Sequence, residues 1–139
     1  MTTTSGRREV LLDSHVALWV ALENNRLSAA AVAAMEAADH LLVSAATLYE
    51  LDSKRRLGGK RAEGILSKLP PDLIGFLTRH GCDLIPITPE AAWRAANLPM
   101  RHGDPWDRIL VAQAQLLEVP LISSDRVLRR QAEDVTLIW

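Results

Sequence analysis

The stretch that decides the fold is VLLDSHVALWVALE, residues 10–23, in which a short apolar run ends at an aspartate and a helical pattern follows. Residues 10–12 predict a strand, because strands covered on both faces of a sheet read as continuous apolar runs. Asp13 then stands where a helix N-cap is needed, and residues 14–23 predict the helix. The stretch is therefore a strand followed directly by a helix.

The same strand–helix unit recurs along the whole chain. Four more apolar runs predict strands at 41–44, 84–87, 121–123 and 135–138, and the helical patterns cover 28–38, 45–56, 60–69, 72–80, 89–97, 106–118 and 126–132. Strands separated by helices predict a parallel sheet with right-handed crossovers. We therefore expect one three-layer α/β domain over residues 9–139, with a central parallel sheet of four to five strands and a flexible tail at 1–8. Pro86 favours an edge position for the third strand.

Composition excludes several classes of protein. The chain has 139 residues, a formal charge of −1, one cysteine and 48% apolar residues. The apolar share excludes a disordered chain, the single cysteine excludes an internal disulfide, and the charge argues against a wholly basic nucleic-acid binder. The first eight residues lack the apolar segment of a secretory signal, and no apolar run approaches the roughly 18 residues of a membrane span. We expect a cytoplasmic protein without membrane contact.

Several carboxylates follow predicted strands or open predicted helices: Asp13, Glu50, Asp104, Asp107 and Asp125. Ligands of open parallel sheets bind at the carboxyl ends of the strands, near a switch in strand order. Each acid also has an ordinary structural interpretation. Asp13, Asp104 and Asp125 suit helix N-caps, and Glu50 suits an i,i+4 ion pair with Lys54. Asp52 lies two residues beyond Glu50 and faces a different part of the helix surface.

Asp107 shares a helix face with the apolar Leu110, Val111 and Ala114, which predicts that this face is buried. A carboxylate on that face is either a helix-end cap or faces a cationic group. Several acids at one end of a sheet also repel each other, by about 4 kcal/mol for two charges 4 Å apart at an effective dielectric near 20. A divalent cation relieves this repulsion, and oxygen ligands favour Mg²⁺ or Mn²⁺. Such a site suits the attack of water on a phosphodiester.

A basic strip covers residues 54–61 and holds Lys54, Arg55, Arg56, Lys60 and Arg61 without any acid. Two interpretations stay open for it. It suits a tract that binds a nucleic-acid backbone without reading sequence. It equally suits a solvated helix end, where basic residues complement the helix dipole.

These motifs have a counterpart in a known family. They are Leu11-Leu12-Asp13-Ser14-His15, Val43-Ser44-Ala45-Ala46 leading to Tyr49-Glu50, His102-Gly103-Asp104-Pro105-Trp106-Asp107-Arg108, and Pro120-Leu121-Ile122-Ser123-Ser124-Asp125. In this order they resemble the PIN-domain ribonucleases, and specifically the VapC-type toxins of prokaryotic toxin–antitoxin systems. The resemblance covers about residues 9–139. The chain departs from the family pattern at Gly103, where a basic residue is usual, and at Trp106, where Phe is usual.

The resemblance implies a catalytic quartet of Asp13, Glu50, Asp107 and Asp125. Asp13, Asp107 and Asp125 are the implied metal ligands, Glu50 and Asp104 are further candidates, and Ser14 and Ser124 are expected to hydrogen-bond to the ligands. The resemblance also implies RNA cleavage with one or two Mg²⁺ or Mn²⁺ ions, a homodimer, and an antitoxin that covers the groove. The expected contacts to the RNA backbone are Lys54, Arg55, Arg56, Lys60, Arg61 and Arg108.

Three alternatives remain at this stage. A DNA nuclease with the same type of fold is disfavoured, because this chain has no room for the extra helices that grip duplex DNA. A receiver-like phosphoacceptor domain should carry an acidic acceptor after its third strand, where this chain has Ile87-Thr88. A catalytically silent binding module is disfavoured by the complete quartet.

Overall fold

The computed structural model describes residues 7–57, 64–101 and 103–139. Within these ranges five strands form one parallel sheet in the order β3-β2-β1-β4-β5. They are β1 (Glu9–Leu12), β2 (His40–Ser44), β3 (Cys82–Ile85), β4 (Leu121–Ile122) and β5 (Leu137–Ile138). The predicted parallel α/β architecture is confirmed.

Seven α-helices in the described ranges connect or follow these strands. They are α1 (Ser14–Leu22), α2 (Ala29–Ala37), α3 (Ala45–Leu57), α4 (Leu73–Arg79), α5 (Pro89–Ala96), α6 (Pro105–Leu117) and α7 (Arg126–Gln131). Short 3-10 helices cover Asn24–Arg26 and Gly64–Lys68. The second lies in the predicted helix 60–69, whose first four residues fall outside the described ranges. None of the described helices has the length and apolar character needed to cross a membrane.

Two apolar cores lie on the opposite faces of the sheet. Val10 and Leu12 of β1 pack on one face, and Leu11 between them packs on the other, as the alternation of a strand requires. The first core receives buried residues of α1, α2, α3 and α4, and the second receives those of α6 and α7. Because both faces are covered, the molecule has the three layers that the apolar strands predict.

The edges of the sheet differ in detail from the prediction. β3 lies at one edge, as Pro86 indicates, and it ends at Ile85, just before the proline. β5 lies at the other edge and has two residues where four are predicted, because its two-residue neighbour β4 offers only Leu121 and Ile122 as partners. Most of the predicted tail, residues 1–6, is outside the described ranges. Arg8 is bonded to the chain before β2, through its amide to Asp39 Oδ2 at 2.9 Å.

The strand order creates a switch point next to β1. The chain leaves β1 for β2 on one side and later returns to β4 on the other side. Helices that follow adjacent strands then diverge at the carboxyl end of the sheet, which opens a crevice there. Asp13 directly follows β1, and Asp125 follows β4 by three residues. The fold therefore brings the acids that follow these two strands to one crevice.

Candidate active site

Three of the predicted aspartates are helix N-caps as well as site residues. Asp13 caps α1, Asp104 caps α6 and Asp125 caps α7, and in each case the oxygen Oδ1 accepts hydrogen bonds from main-chain amides of the first turn. The donors are Val16 at 2.9 Å for Asp13, Trp106 at 2.8 Å and Asp107 at 3.2 Å for Asp104, and Val127 at 2.8 Å and Leu128 at 3.1 Å for Asp125. The capping interpretation is confirmed.

The same three helix ends, together with α3, enclose a cleft of about 460 Å³. Five carboxylates line it: Asp13, Glu50, Asp104, Asp107 and Asp125. Ser14, Ser124, His15, Trp19 and Lys54 complete its lining. The structure thus brings together all the acids and both serines that the sequence and the family resemblance indicate. We call this the acidic cleft.

The surroundings of Asp13 in the acidic cleft shift the pKa of its carboxyl. Burial raises the pKa of its carboxyl above the ordinary value, and the nearby charge of Asp125 raises it further. Hydrogen bonds from Ser123 and Val16, and the neighbouring His15, act in the opposite direction. A buried carboxylate that repels another across a cleft is stabilised by a bound cation, so this site favours positive charge.

Glu50 is buried in the wall of the acidic cleft and has partners on two helices. Its oxygen Oε1 accepts a hydrogen bond of 2.5 Å from Ser14 Oγ on α1. Its oxygen Oε2 accepts one of 2.6 Å from Lys54 Nζ, one turn along α3. The predicted i,i+4 pair of Glu50 and Lys54 is confirmed. Ser14, which directly follows Asp13, connects this pair to α1 through its bond to Glu50.

Two aromatic pairs involve residues of the acidic cleft or residues next to them in sequence. Trp19, which lines it, packs against Trp139 with ring centroids 5.7 Å apart. Tyr49 and Trp106, the residues before Glu50 and Asp107, pack with centroids 5.0 Å apart. The tilted arrangement is favourable for aromatic pairs at this separation. The sequence does not reveal these pairings, because their members are far apart in the chain.

The predicted RNA-binding residues divide into three groups. Lys54 lines the acidic cleft. Lys60 and Arg61 lie outside the described residues, as does His102 of the family motif. Arg55, Arg56 and Arg108 do not line the acidic cleft.

Arg55 and Arg108 bind main-chain carbonyls, which sequence reasoning did not foresee. Arg55 donates to the carbonyls of Leu69 at 2.9 Å and Pro70 at 2.7 Å and pairs with Asp52. Arg108 donates to carbonyls at the end of α5 and in the loop after it, namely those of Ala95, Ala96, Leu98 and Met100. Arg56 pairs with Asp52 at 2.7 Å, outside the acidic cleft. These contacts give the three arginines structural partners, and their contact with an RNA backbone stays a prediction.

The donor chemistry of the acidic cleft fits a hard divalent cation. All five acids supply oxygen, which Mg²⁺ and Mn²⁺ prefer. Within the described ranges, however, no group of three or more acidic, His or Cys side chains has the arrangement to hold a metal ion as it stands. Asp104 and Asp125 each use Oδ1 to cap a helix. Mg²⁺ usually keeps several water ligands and needs few protein carboxylates, so the set remains compatible with it.

Ser123 is a site residue that the sequence reasoning missed. Its hydroxyl accepts a hydrogen bond of 3.1 Å from the amide of Asp125 and also hydrogen-bonds to Asp13. It is fully buried at the end of β4 and so links the two acids that follow adjacent strands. The sequence signal that could have identified Ser123 is its position as a small hydroxyl residue between an apolar strand and Asp125.

Comparison with known proteins agrees with this fold and site. The PIN domain family model matches residues 10–134. The chain is 40% identical over 136 residues to Ribonuclease VapC22 of Mycobacterium tuberculosis, covering 94% of this chain and 98% of that protein. The chain therefore belongs to the PIN domain family, and the second match assigns it to the VapC-type members. The resemblance seen in the motifs is confirmed.

Solved structures show the same fold at low sequence identity. VapBC2 of Rickettsia felis, bound to a DNA fragment from its promoter, matches with a TM-score of 0.64 and 14% identity, over 93% of this chain and 96% of that one. FitAcB of Neisseria gonorrhoeae matches with a TM-score of 0.56 and 17% identity, over 92% and 95%. The arrangement of strands and helices is thus shared with these two structures.

Proposed function

We propose that this chain is a Mg²⁺- or Mn²⁺-dependent endoribonuclease that acts as the toxin of a toxin–antitoxin pair. The observation that carries the proposal is the acidic cleft, in which five carboxylates meet at the switch point of a parallel sheet. The identity to a protein named a ribonuclease supports RNA as the substrate. Such a reaction would take place in the cytoplasm, where its RNA substrates are.

The residues of the acidic cleft have separate roles in this proposal. Asp13, Asp107 and Asp125 would hold one or two ions, with Asp104 at the same helix end as Asp107. A divalent ion supplies a water molecule of lowered pKa and stabilises the leaving oxygen. Ser124 lines the cleft beside Asp125 and would hydrogen-bond to its ligands. Glu50 is the fourth member of the proposed catalytic quartet, beside these three aspartates.

The proposal includes two protein partners. As the VapC-type resemblance implies, we propose a homodimer and a cognate antitoxin that covers the groove. Large apolar side chains exposed on the described surface support contacts with proteins, since Leu57 is 86% exposed and Trp93 is 77% exposed. Size-exclusion chromatography with light scattering would test the homodimer. Co-purification with the product of a neighbouring gene would test the antitoxin.

A cleavage assay with a matched pair of variants tests the enzymatic activity. Asp125→Asn keeps the N-cap of α7 but removes a carboxylate from the acidic cleft, whereas Asp72→Asn makes the same change at the cap of α4, outside the acidic cleft. We expect the wild type and Asp72→Asn to cut single-stranded RNA with Mn²⁺ and to stop when EDTA is added. Asp125→Asn should lose activity by about 100-fold or more.

Three results would contradict the proposal. Cleavage that persists in EDTA would exclude a divalent ion. Equal cleavage of a DNA strand of matched sequence would favour the DNA-nuclease alternative. A folded wild type that binds Mn²⁺ but leaves every RNA intact would favour the silent binding module.

A further inference from the structure

We propose, building on the ribonuclease function above, that Glu50 is a positioning residue and not a metal ligand. Its carboxylate holds the ammonium group of Lys54 in the acidic cleft, and that ammonium contacts a phosphate oxygen of the RNA. The inference separates one member of the acidic quartet from the other three.

Both oxygens of Glu50 already have strong partners. Oε1 accepts the bond from Ser14 and Oε2 accepts the bond from Lys54, at 2.5 and 2.6 Å. The residue is 6% exposed, so its charge needs a nearby cation, and Lys54 supplies one. The three capping aspartates of the cleft, Asp13, Asp104 and Asp125, accept their capping bonds at the single oxygen Oδ1. Of these three, Asp13 also hydrogen-bonds to Ser123.

A chain of hydroxyl groups fixes the direction of Glu50. Ser14 Oγ lies 3.2 Å from Thr47 Oγ1 and 2.5 Å from Glu50 Oε1. A serine hydroxyl has one hydrogen to donate, and the carboxylate can only accept it. Thr47 must therefore donate to Ser14, which donates to Glu50. This buried relay joins α1 to α3 and leaves Glu50 little freedom to turn towards an ion.

Lys54 has the position and the spare donors for a phosphate. Its side chain is 50% exposed and lines the acidic cleft. An ammonium has three N–H donors, and Glu50 Oε2 accepts one of them. A phosphate that enters a cleft lined by five carboxylates needs a compensating cation, and lysine is a regular phosphate binder.

A second acid–base pair on α3 has the same spacing as Glu50 and Lys54 but lies in a more exposed environment. Asp52 and Arg56 have the same i,i+4 spacing and a bond of 2.7 Å, but Arg56 is 75% exposed and Asp52 34% exposed. Burial of a carboxylate is costly unless it is paired and hydrogen-bonded. Glu50 meets that condition through its bonds with Ser14 and Lys54. The more exposed Asp52 does not need such a set of buried partners.

A calorimetric titration with Mn²⁺ in the absence of RNA tests whether Glu50 is a metal ligand. The double variant Glu50→Gln/Lys54→Met removes one negative and one positive charge, so the net charge of the acidic cleft is unchanged. We expect its Mn²⁺ affinity to stay within about threefold of the wild type, while Asp125→Asn loses at least about tenfold. Asp52→Asn is the matched control on α3. Equal losses in the double variant and in Asp125→Asn would overturn the proposal.

Cleavage kinetics test whether Glu50 acts through Lys54. Lys54→Met should lower kcat/KM by about 100-fold, and Lys54→Arg should restore most of it. Lys68→Met, which removes an exposed lysine paired with Glu23 away from the acidic cleft, should have no effect. Glu50→Gln should resemble Lys54→Met, and the double variant should be no worse than Lys54→Met.

Additive losses in the double variant would show an independent role for Glu50 and would refute the positioning role. Equal activity of Lys54→Met and the wild type would refute the phosphate contact. If the wild type cuts no RNA, the proposed function fails, yet the Mn²⁺ titration still decides whether Glu50 is a ligand. Thermal melting of each variant separates loss of folding from these effects.

Discussion

Two groups of helix N-caps differ in where they lie and in what they are made of. Asp13, Asp104 and Asp125, the cleft caps, line the acidic cleft. The N-caps of α2, α4 and α5 lie outside the acidic cleft, and we call them the outer caps. They are Ser28, Asp72 and Thr88. Bond lengths do not separate the groups, since the outer caps accept at 2.9 to 3.1 Å and the cleft caps at 2.8 to 3.2 Å.

The comparison shows that capping alone does not demand a carboxylate. Serine and threonine cap α2 and α5 with one hydroxyl oxygen each. The cleft caps are all aspartates, and their charges accumulate in one place, where they repel. The structural interpretation of these aspartates is confirmed by their capping bonds, and their functional role stays a prediction that rests on the charge they bring together.

Replacing a carboxylate cap by a hydroxyl cap should give the largest contrast. Asp125→Ser keeps a capping oxygen but removes the charge, so we expect kcat/KM for RNA to fall about 100-fold or more. Asp72→Ser makes the same change in an outer cap and should leave kcat/KM unchanged. Single-turnover RNA cleavage measures both. Equal activity of the two variants would remove the distinction between the groups.

Adding Mn²⁺ should stabilise the protein through the acidic cleft and not through the outer caps. An ion that binds the folded state alone adds about 2.7 kcal/mol to the free energy of unfolding at 100 times its Kd. Differential scanning calorimetry should show this gain in the wild type and in Thr88→Ala, and EDTA should reverse it. In Asp13→Asn the gain should be largely lost. An undiminished gain in that variant would place the ion elsewhere.

Removing an outer cap should cost stability without affecting catalysis. Ser28→Ala removes the acceptor for the amide of Ala31, which should lower the free energy of unfolding by about 1 kcal/mol. The rate of RNA cleavage below the melting temperature should equal that of the wild type. Urea denaturation and the cleavage assay, run on the same preparation, measure the two effects. A loss of activity in the folded variant would contradict this separation.

The smallest expected effect is a gain in stability from Asp13→Asn without metal. Burial raises the pKa of Asp13, so the ionised carboxylate destabilises the folded state above that raised pKa. Asparagine keeps the cap without the charge, and loss of the bond from Ser123 to a charged acceptor offsets part of the gain. The variant should therefore melt slightly above the wild type at pH 7. The difference should shrink as the pH falls through the raised pKa and vanish below the ordinary value of 3.8.

The sequence predicts those parts of the site that depend on position along the chain. Asp13 and Asp125 follow apolar runs, and parallel strands end at one edge of the sheet, so their meeting follows from topology. Pro86 identifies an edge strand because it lacks an amide hydrogen. The Glu50–Lys54 pair follows from the geometry of a helix.

The parts that the sequence does not predict depend on contacts between distant segments. Arg55 and Arg108 count as basic residues in a charge pattern. In the structure, however, Arg55 donates to the carbonyl of Leu69, 14 positions away, and Arg108 donates to the carbonyl of Leu98, 10 positions away. A long, flexible side chain can bind either a loop of the same chain or a ligand. Its sequence position does not distinguish the two, because the outcome depends on where the loop packs. Ser14 shows the same limit, because its bond to Glu50 depends on how α1 packs against α3.

The sheet is unequal on the two sides of β1. Four registered pairs join β2 to β3, whereas two join β4 to β5. Asp13 follows β1, where the two sides meet, and Asp125 follows β4 on the side with the shorter strands, so the acidic cleft lies at their boundary. Without metal, we expect amides of β4 and β5 to exchange hydrogen with solvent faster than those of β2 and β3. An ion shared by the two aspartates would bring these rates together, and the protein would then open as one cooperative unit.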